Sequence, residues 1–240
     1  MFFWQRRYGP VAVAVTERAG GVSAGPYAAL NLGAHVGDDP GDVTANRARL
    51  AAALDVVPGQ LVVMDQCHGA QVAVVDAAPQ HPPRADALVT TTPDLALLAL
   101  VADCTPVLLW DEDGPAIAAV HAGRPGLVAG VVPAAVSTLR DLGARRLRAI
   151  VGPAVCGRCY EVPADMCTTA ASLVPAARTV SWAGTPALDI AAGVVAQLDS
   201  MGVELAHWVC GCAREDERLF SHRRSGVTGR FAGVILRRSR

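Results

Sequence analysis

Three short segments of the chain place histidine or cysteine directly after apolar runs that are typical of strands. They are Asp65–Gly69, Ala102–Pro106 and Val120–Gly123. A side chain at the end of a strand is held by a rigid sheet, so residues far apart in sequence can meet there while the loops leave an opening. His68, Cys104 and His121 would then form a set of two imidazoles and one thiolate. Three protein ligands leave a fourth tetrahedral position for water, which is the pattern of catalytic rather than structural zinc.

The long spacings between these three residues are not a compact metal motif, and they leave two interpretations open. Zinc at such a site would supply hydroxide at neutral pH, because it lowers the pKa of its water towards about 7. Alternatively, Cys104 and His121 could form a nucleophilic dyad, since the thiolate is the reactive form of cysteine. The residues alone therefore support either a metal centre or a cysteine nucleophile.

The same residues could also hold copper rather than zinc. Two histidines and one cysteine with a weak axial methionine are a blue-copper pattern, and Met64 lies near His68 in the sequence. A multicopper laccase also needs a trinuclear cluster, typically built from His-x-His pairs, and the chain has 6 histidines and no such pair. The count rejects that mechanism, although copper could still occupy a single site because it outcompetes zinc for many such ligands.

Four other cysteines also have spacings that recur in zinc sites. Cys156, Cys159, Cys210 and Cys212 could together form a tetrathiolate site, but Cys-x-Cys is poor geometry beside a Cys-x-x-Cys pair. We therefore expect ordinary thiols or a redox-labile pair. Cys67 would point away from His68 if that segment is extended, so we do not expect it to be a ligand.

The elements that must position these residues are short and mixed in type. Apolar runs predict strands over residues 11–18, 61–64, 71–76, 87–90, 95–102, 106–110, 116–120, 147–151, 203–210, 219–221 and 229–236. Helical periodicity predicts helices over 39–54, 127–142 with a kink at Pro133, 163–174 and 188–201. Residues 23–38 are rich in Gly, Asn and Asp and are predicted to form a long loop. The pattern indicates an α+β fold, one domain over residues 1–240 in which helices cover β-sheets.

The composition excludes several classes of protein. The chain has 240 residues, 52% of them hydrophobic and 18% charged, which rules out a disordered chain. All 21 basic residues are arginine, and the net charge of −1 argues against a nucleic-acid-binding protein. The longest apolar run, Leu95–Ala102, is too short to span a membrane, and the N-terminus lacks the features of a secretory signal. We therefore expect a cytoplasmic location with reduced cysteines; the oligomeric state stays open.

A set of ordered motifs along nearly the whole chain carries a family resemblance. The motifs are Asn31–Asp38, Asn46-Arg47, Gln66–Gly69, Ala85–Thr90, Ala102–Pro106, His121–Gly123, Ile150–Pro153, Tyr160–Val162, Ser221–Arg224 and Thr228–Arg230. In this order they resemble the YfiH family, also called laccase-domain or multicopper polyphenol oxidoreductase proteins. The resemblance implies a single domain of mixed sheets with helices outside, in α/β/β/α layers, related to cysteine-hydrolase-like toxins.

The resemblance also implies a metal, usually zinc, held by His68, Cys104 and His121. The activity it implies is phosphorolysis of adenosine, inosine and methylthioadenosine to the free base and ribose 1-phosphate, with deamination of adenosine, so that purine nucleosides and phosphate are the expected partners. Older assignments of the family imply a copper polyphenol oxidase, and editing of peptidoglycan precursors is a third alternative.

Six further residues are candidates for substrate binding within these motifs. Arg47 and Arg230 are predicted to hold phosphate, because arginine offers a planar fork to that anion. The residues predicted to orient substrate or support the metal ligands are Asn31, His35, Gln66 and Asp103. One segment departs from the family pattern, which usually reads His-Ala-Gly-Trp-Arg-Gly, because here Arg124 and Pro125 replace the Trp-Arg pair.

Overall fold

Two mixed β-sheets packed face to face form the centre of the molecule, and helices cover their outer faces. The computed structural model describes residues 1–239. The strands are β1 (Phe2–Tyr8), β2 (Val11–Thr16), β3 (Leu61–Val62), β4 (Val72–Val74), β5 (Ala87–Thr90), β6 (Ala96–Val101), β7 (Thr105–Asp111), β8 (Ile117–Ala122), β9 (Leu147–Val151), β10 (Arg178–Val180), β11 (Pro186–Leu188), β12 (Glu204–Trp208) and β13 (Phe231–Arg237). The α-helices are α1 (Pro40–Ala53), α2 (Arg124–Ala129), α3 (Val131–Asp141), α4 (Ala164–Leu173), α5 (Ile190–Ser200) and α6 (His222–Ser225).

The five-stranded sheet has the order β1-β2-β13-β6-β3, and its strands are antiparallel except for the pair β3 and β6. Side chains alternate between its two faces, as the period of a strand requires. In β6, Leu97 and Val101 pack against the second sheet, whereas Leu98 and Leu100 pack towards α1. Burial on both faces explains why the sequence of β6 is an uninterrupted apolar run.

The six-stranded sheet has the order β12-β9-β7-β8-β5-β4 and buries its outer face under helices α2 to α5. The chain crosses from the first sheet to the second between β6 and β7, at residues 102–104. The layers from one side of the molecule to the other are therefore α1, the five-stranded sheet, the six-stranded sheet and the remaining large helices. This arrangement confirms the predicted α/β/β/α fold.

The ends of the helices follow from local sequence. Asp39 caps α1, because its carboxylate accepts hydrogen bonds from the N–H groups of Gly41 and Asp42. The single helix predicted over 127–142 is wrong, because α2 ends and α3 begins at Gly130, whose φ of 82° is left-handed. Pro133 lies in the first turn of α3, where its missing N–H costs no intrahelical bond.

Four strand assignments also differ from the structure: three observed strands have no counterpart in the sequence prediction, and one predicted strand is not formed. β1 was not predicted, because it is an edge strand whose residues Gln5–Arg7 are exposed and polar. β10 and β11 have three residues each, too few to show a pattern. Residues 219–221 are not a strand: Leu219 and Phe220 are buried between the sheets, but Ser221 caps α6. No helix within residues 1–239 has the length and apolar character that crossing a bilayer requires.

Candidate metal centre and its cavity

Strand pairing brings the three predicted metal ligands to one edge of the six-stranded sheet. His121 is the penultimate residue of β8 and lies opposite Pro106 of β7, so Cys104, which immediately precedes β7, lies beside it. His68 reaches the same place from the loop between β3 and β4. One ligand atom from each of the three residues lies within 4.8 Å of the others, and His68 Nε2 is 3.9 Å from Cys104 Sγ. The sequence prediction that these residues meet is therefore consistent with the geometry.

Asp86 organises this centre, and the sequence analysis assigned it no role. Its carboxylate is fully buried at the start of β5 and lies 2.9 Å from Nδ1 of His121. It also accepts hydrogen bonds from the N–H groups of His68 (2.9 Å) and Gly69 (2.6 Å), and from Cys67 Sγ (3.1 Å). A carboxylate at Nδ1 fixes the ring with Nε2 free to bind a metal, as in carboxylate–histidine–zinc triads. Its place in the Ala85–Thr90 motif, just before an apolar strand, was the sequence signal that could have identified it.

The protein environment favours the charged forms of these side chains. Burial alone would raise the pKa of Asp86, but the hydrogen bonds from His121, Cys67 and Gly69 lower that pKa to about 2. Burial would likewise raise the pKa of the Cys104 thiol, but the charge of His121 and hydrogen bonds from both histidines lower it to about 6. Desolvation acts to lower the pKa of His121, yet the Cys104 thiolate and the Asp86 carboxylate raise it to about 9. Cys104 is thus a thiolate at neutral pH, the form that binds metals.

Close backbone packing is needed for the three side chains to meet. His68 has a left-handed φ of 58°, a conformation that is uncommon outside glycine and is held here by the hydrogen bonds to Asp86. Gly123 lies directly after β8, and a Cβ atom there would be 2.9 Å from Cδ2 of His68 and 3.1 Å from Sγ of Cys104. Glycine at this position therefore lets the loop pass against the centre.

The centre opens into a cavity of about 680 Å³, a size suited to a small organic ligand. Four of the six residues predicted to bind substrate line it: His35, Gln66, Asp103 and Arg230. Partial desolvation, together with the charge of Arg230, lowers the pKa of His35. Desolvation also lowers the pKa of Arg230.

The side chains of Gln66 and Asp103, which line the cavity, also have structural partners. The amide of Gln66 donates to the carbonyl oxygen of Leu100 and accepts from its N–H, so it extends the pairing of β6. The carboxylate of Asp103 accepts hydrogen bonds from Ser221 Oγ (2.6 Å) and from the N–H of Arg223 (2.6 Å). Asp103 therefore ties the turn that carries Cys104 to the C-terminal part of the chain.

Asn31 and Arg47 do not line the cavity, which is a correction to the predicted substrate contacts. The Asn31 side chain is buried, bonds both backbone groups of Gly33 and accepts from the N–H of Arg230. Arg47 donates two hydrogen bonds to the carbonyl oxygen of Leu32. Both residues brace the loop that carries His35, because their polar atoms are already engaged by that loop.

Two further arginines, Arg124 and Arg223, line the same cavity as Arg230. Arg124 begins α2, and Pro125 lies in the first turn, where helix N–H groups have no intrahelical acceptor. The departure from the family pattern therefore keeps the helix and places a guanidinium in the cavity. Arg223 lies over the ring of Tyr160, with its Cζ 4.7 Å from the ring centroid. Sequence reasoning gave Arg223 no role, although it lies in the Ser221–Arg224 motif.

The donor set fits a zinc-like metal ion. It comprises one thiolate and two imidazoles, one of them oriented by a buried carboxylate, and it faces a cavity. The fold and the site together define a single-domain protein of two stacked mixed sheets, with a candidate three-ligand metal centre at their common edge.

The chain belongs to the family described as multi-copper polyphenol oxidoreductase laccase, which matches residues 12–238. This match confirms the resemblance drawn from the motifs. Over 224 residues the chain is 55% identical to a purine nucleoside phosphorylase of Streptomyces coelicolor, covering 92% of this chain and 93% of that one. It is 49% identical over 224 residues to a purine nucleoside phosphorylase of Mycobacterium tuberculosis, covering 92% and 89% of the two chains.

Solved structures share the whole fold. A Neisseria meningitidis protein superimposes with a TM-score of 0.89 at 31% identity and covers 100% of both chains. The hypothetical protein YfiH of Bacillus licheniformis superimposes with a TM-score of 0.87 at 25% identity, covering 98% and 99% of the two chains. The fold described above is therefore that of the YfiH proteins.

Proposed function

We propose that this protein is a zinc-dependent purine nucleoside phosphorylase that also deaminates adenosine. The relatives named purine nucleoside phosphorylase support an enzyme whose substrates are a nucleoside and phosphate. The observation that carries the proposal is that a His₂Cys metal set and three arginines face one cavity of nucleoside size. Adenosine, inosine and methylthioadenosine are the proposed nucleosides.

His68, Cys104 and His121 would hold the metal. When bound, zinc would supply Lewis-acid chemistry at the mouth of the cavity. Asp86 keeps the His121 ring oriented, and the low pKa of Cys104 makes its sulfur a ligand without further deprotonation at neutral pH. These residues are ready to bind metal because their positions are fixed by strand pairing and by buried hydrogen bonds.

Arg124, Arg223 and Arg230 are the proposed binding groups for phosphate. A guanidinium offers paired N–H donors that match a phosphate edge. It has five donors in all, so Arg230 can still offer a pair although its Nη1 donates to the carbonyl oxygens of Thr228 and Gly229. Asp103 is the carboxylate that lines the cavity, and it is already engaged by Ser221 and Arg223, so the cavity favours an anion. Arg230 thus keeps its predicted role, whereas Arg47 is replaced in it by Arg124 and Arg223.

The purine and ribose would lie along the less polar part of the wall. Val155, Tyr160 and Ile190 line the cavity together with the end of β6. An aromatic ring and aliphatic side chains suit the flat face of a purine, and His35 and Gln66 offer hydrogen-bonding groups for its edge or for ribose hydroxyls. Asn31 and Arg47 are proposed to act through the loop that carries His35.

The proposed phosphorolysis is a displacement at C1′ of ribose. A phosphate oxygen forms a bond to C1′ while the bond from C1′ to the purine nitrogen breaks, and the purine takes up the proton that the hydrogen phosphate loses. Deamination consumes water at C6 of adenosine and releases ammonia. The arginines would be required for the first reaction only, because the second contains no phosphate.

Copper-dependent phenol oxidation is less well supported by the same side chains. Within residues 1–239, two groups of side chains could hold a metal, and one of them contains no histidine. Met64 is buried between the sheets among apolar side chains rather than lining the cavity. A methionine is the usual axial ligand of a blue-copper centre and a laccase needs several linked histidine sites, so we favour zinc and nucleoside chemistry.

The test is incubation of zinc-loaded protein with inosine or adenosine, with and without phosphate, and separation of the products. We expect hypoxanthine and ribose 1-phosphate from inosine only when phosphate is present, and ammonia from adenosine without it. Cys104→Ser should abolish both reactions, whereas Cys210→Ser is the matched control, because Cys210 is exposed and its Sγ faces the carbonyl oxygen of Trp208. Arg230→Gln should raise KM for phosphate about 10–100-fold, the cost of a charge-assisted hydrogen bond. Products unchanged by Cys104→Ser would refute the proposal.

A further inference from the structure

A second cluster of metal-binding side chains lies on two loops outside the His₂Cys centre. Cys156, Cys159, Cys212 and Glu215 place one ligand atom each within 4.8 Å of one another. The loop after β9 carries the first pair, and the loop after β12 carries the second. Sequence reasoning considered Cys210 as the fourth member of this group, but the structure has Glu215 there instead.

The two loops present their ligands with the same geometry. Cys156 and Cys159 are separated by two residues, as are Cys212 and Glu215. In the first loop the N–H of Cys159 donates to the carbonyl oxygen of Cys156 (2.9 Å), and in the second the N–H of Glu215 donates to that of Cys212 (3.1 Å). Each loop is thus a tight turn with ligands at its first and fourth positions, and the two turns face each other. Structural zinc sites are commonly built in this way, with two such turns supplying the four tetrahedral ligands.

The protein holds the cluster together through backbone contacts as well. Ala154 and Cys212 form an isolated parallel β-bridge, and the N–H of Ala213 donates to the carbonyl oxygen of Ala154. The N–H of Cys156 donates to Sγ of Cys212 at 3.3 Å, and Sγ of Cys159 lies 3.2 Å from Oε1 of Glu215. N–H donors to sulfur are favourable when the sulfur carries negative charge, as a metal-bound thiolate does.

Neighbouring side chains orient the carboxylate ligand and shape its loop. The indole N–H of Trp182 donates to Oε1 of Glu215 at 3.3 Å. The guanidinium of Arg224 lies inside the second loop and donates to the carbonyl oxygens of Ala213, Arg214, Asp216 and Leu219. Arg214 donates to the carbonyl oxygen of Cys159 and brings positive charge to a site that would hold three thiolates and a carboxylate.

We propose that Cys156, Cys159, Cys212 and Glu215 form a second, structural zinc site. Three thiolates select a soft or borderline ion, and the carboxylate completes a four-coordinate shell with no position left for substrate. Each thiol loses its proton to solvent when the metal binds, so formation of the site releases protons and needs no oxidant. The first centre differs because it has three protein ligands and leaves a coordination position open towards the cavity.

The second site would fix part of the cavity wall. The first loop carries Val155 and Tyr160, which line the cavity, and the N–H of Val155 donates to the carbonyl oxygen of Asp103. The second loop leads into Ser221 and Arg223, which bond the Asp103 carboxylate. Zinc between the loops would join two segments that both contact the turn carrying Cys104. Its ligands are positioning residues, because none of them lines the cavity.

Metal content measured by elemental analysis and native mass spectrometry tests the proposal. Protein purified under reducing conditions with added zinc should hold two ions per chain, one for each group. Cys104→Ser should remove one ion and Cys212→Ser the other, and the double variant should hold none. Cys210→Ser, whose thiol lies two residues from Cys212 but outside the group, should keep both.

Cobalt substitution gives a readout that does not depend on activity. Thiolate-to-cobalt charge-transfer absorption should persist in Cys104→Ser, because three thiolates remain, and should fall to the level of a single thiolate in Cys212→Ser. If the Cys212 variant does not fold, the metal content and cobalt absorption of wild type and Cys104→Ser alone show whether the second site binds a metal. One ion in the wild type with none in Cys104→Ser, or a disulfide within the group under reducing conditions, would overturn the second site. Neither result bears on nucleoside cleavage, which is assayed separately.

Discussion

Replacing Asp86 with asparagine tests how the protein prepares His121 to bind a metal. The carboxylate is fully buried, and its oxygens meet only donors: Nδ1 of His121, two backbone N–H groups and the thiol of Cys67. An amide has one oxygen and one NH₂ group, so either orientation sets an N–H donor against another donor. If the NH₂ group faces Nδ1, that nitrogen becomes the acceptor and the proton moves to Nε2, the atom needed for the metal.

Two costs of Asp86→Asn can be separated. Loss of an outer partner of a metal-bound histidine typically lowers metal affinity about 10–100-fold, which is about 1.4–2.8 kcal/mol. A buried donor left without an acceptor should also lower the free energy of unfolding by about 1–3 kcal/mol. The loss of zinc affinity is measured by competition with a chromogenic chelator, and the loss in the free energy of unfolding by urea unfolding of the metal-free protein.

Asp111→Asn is the matched control for Asp86→Asn. Asp111 is 3% exposed and ends β7, the strand that Cys104 precedes at its other end. Its carboxylate also accepts hydrogen bonds from backbone N–H groups, those of Arg145 and Arg146. Both of these hydrogen bonds go to Oδ1, which an amide oxygen can replace, so this variant should lose less stability than Asp86→Asn, and its zinc affinity should stay unchanged. If folded Asp86→Asn protein binds zinc as tightly as wild type, the carboxylate does not prepare His121 for the metal.

Three other predictions follow from the same geometry. Gly123→Ala should lower zinc affinity at least about tenfold, because the new Cβ would displace His68 and Cys104. Gly59→Ala is the control, since nothing lies within 4 Å of its added Cβ, and it should leave zinc affinity unchanged. Equal zinc affinities of the two variants in competition with a chelator would contradict this prediction. In metal-free protein the rate of alkylation of Cys104 should rise with a midpoint at a pH of about 6, since the lowered pKa makes the thiolate dominant above that pH. A midpoint near the ordinary thiol pKa of about 8.5 would show that the site does not stabilise the thiolate. Asn46→Ala should lower the free energy of unfolding by about 2–4 kcal/mol, because the buried amide makes four hydrogen bonds to the loop it braces. A loss below about 0.5 kcal/mol in urea unfolding would show that these hydrogen bonds do not stabilise the loop.

The meeting of the metal ligands could be predicted from sequence because each follows an apolar run. Cys104 and His121 lie at the paired ends of β7 and β8, whereas His68 reaches them from the loop between β3 and β4. Asp86 could not be predicted in the same way. An acid before a strand is common, and only the pairing of β5 with β8 sets it beside His121.

The substrate-facing residues were harder to predict than the metal ligands. Polar residues in a motif can face the cavity or their own loop, and sequence does not distinguish the two. Asn31 and Arg47 face their own loop, whereas Arg223 reaches the cavity because Ser221 and its own N–H are bound to Asp103. The same limit applied to the second cluster, where spacing suggested cysteines alone and the structure brings Glu215 beside three of them.

Anomalous diffraction above and below the zinc edge, from crystals grown with zinc and soaked with inosine, tests the central claim most directly. We expect an ion about 2.0–2.1 Å from a ring nitrogen of His68 and of His121, and about 2.3 Å from Sγ of Cys104, with the nucleoside in the adjoining cavity. An ion bound elsewhere with these three side chains free of metal, or a nucleoside outside this cavity, would contradict it.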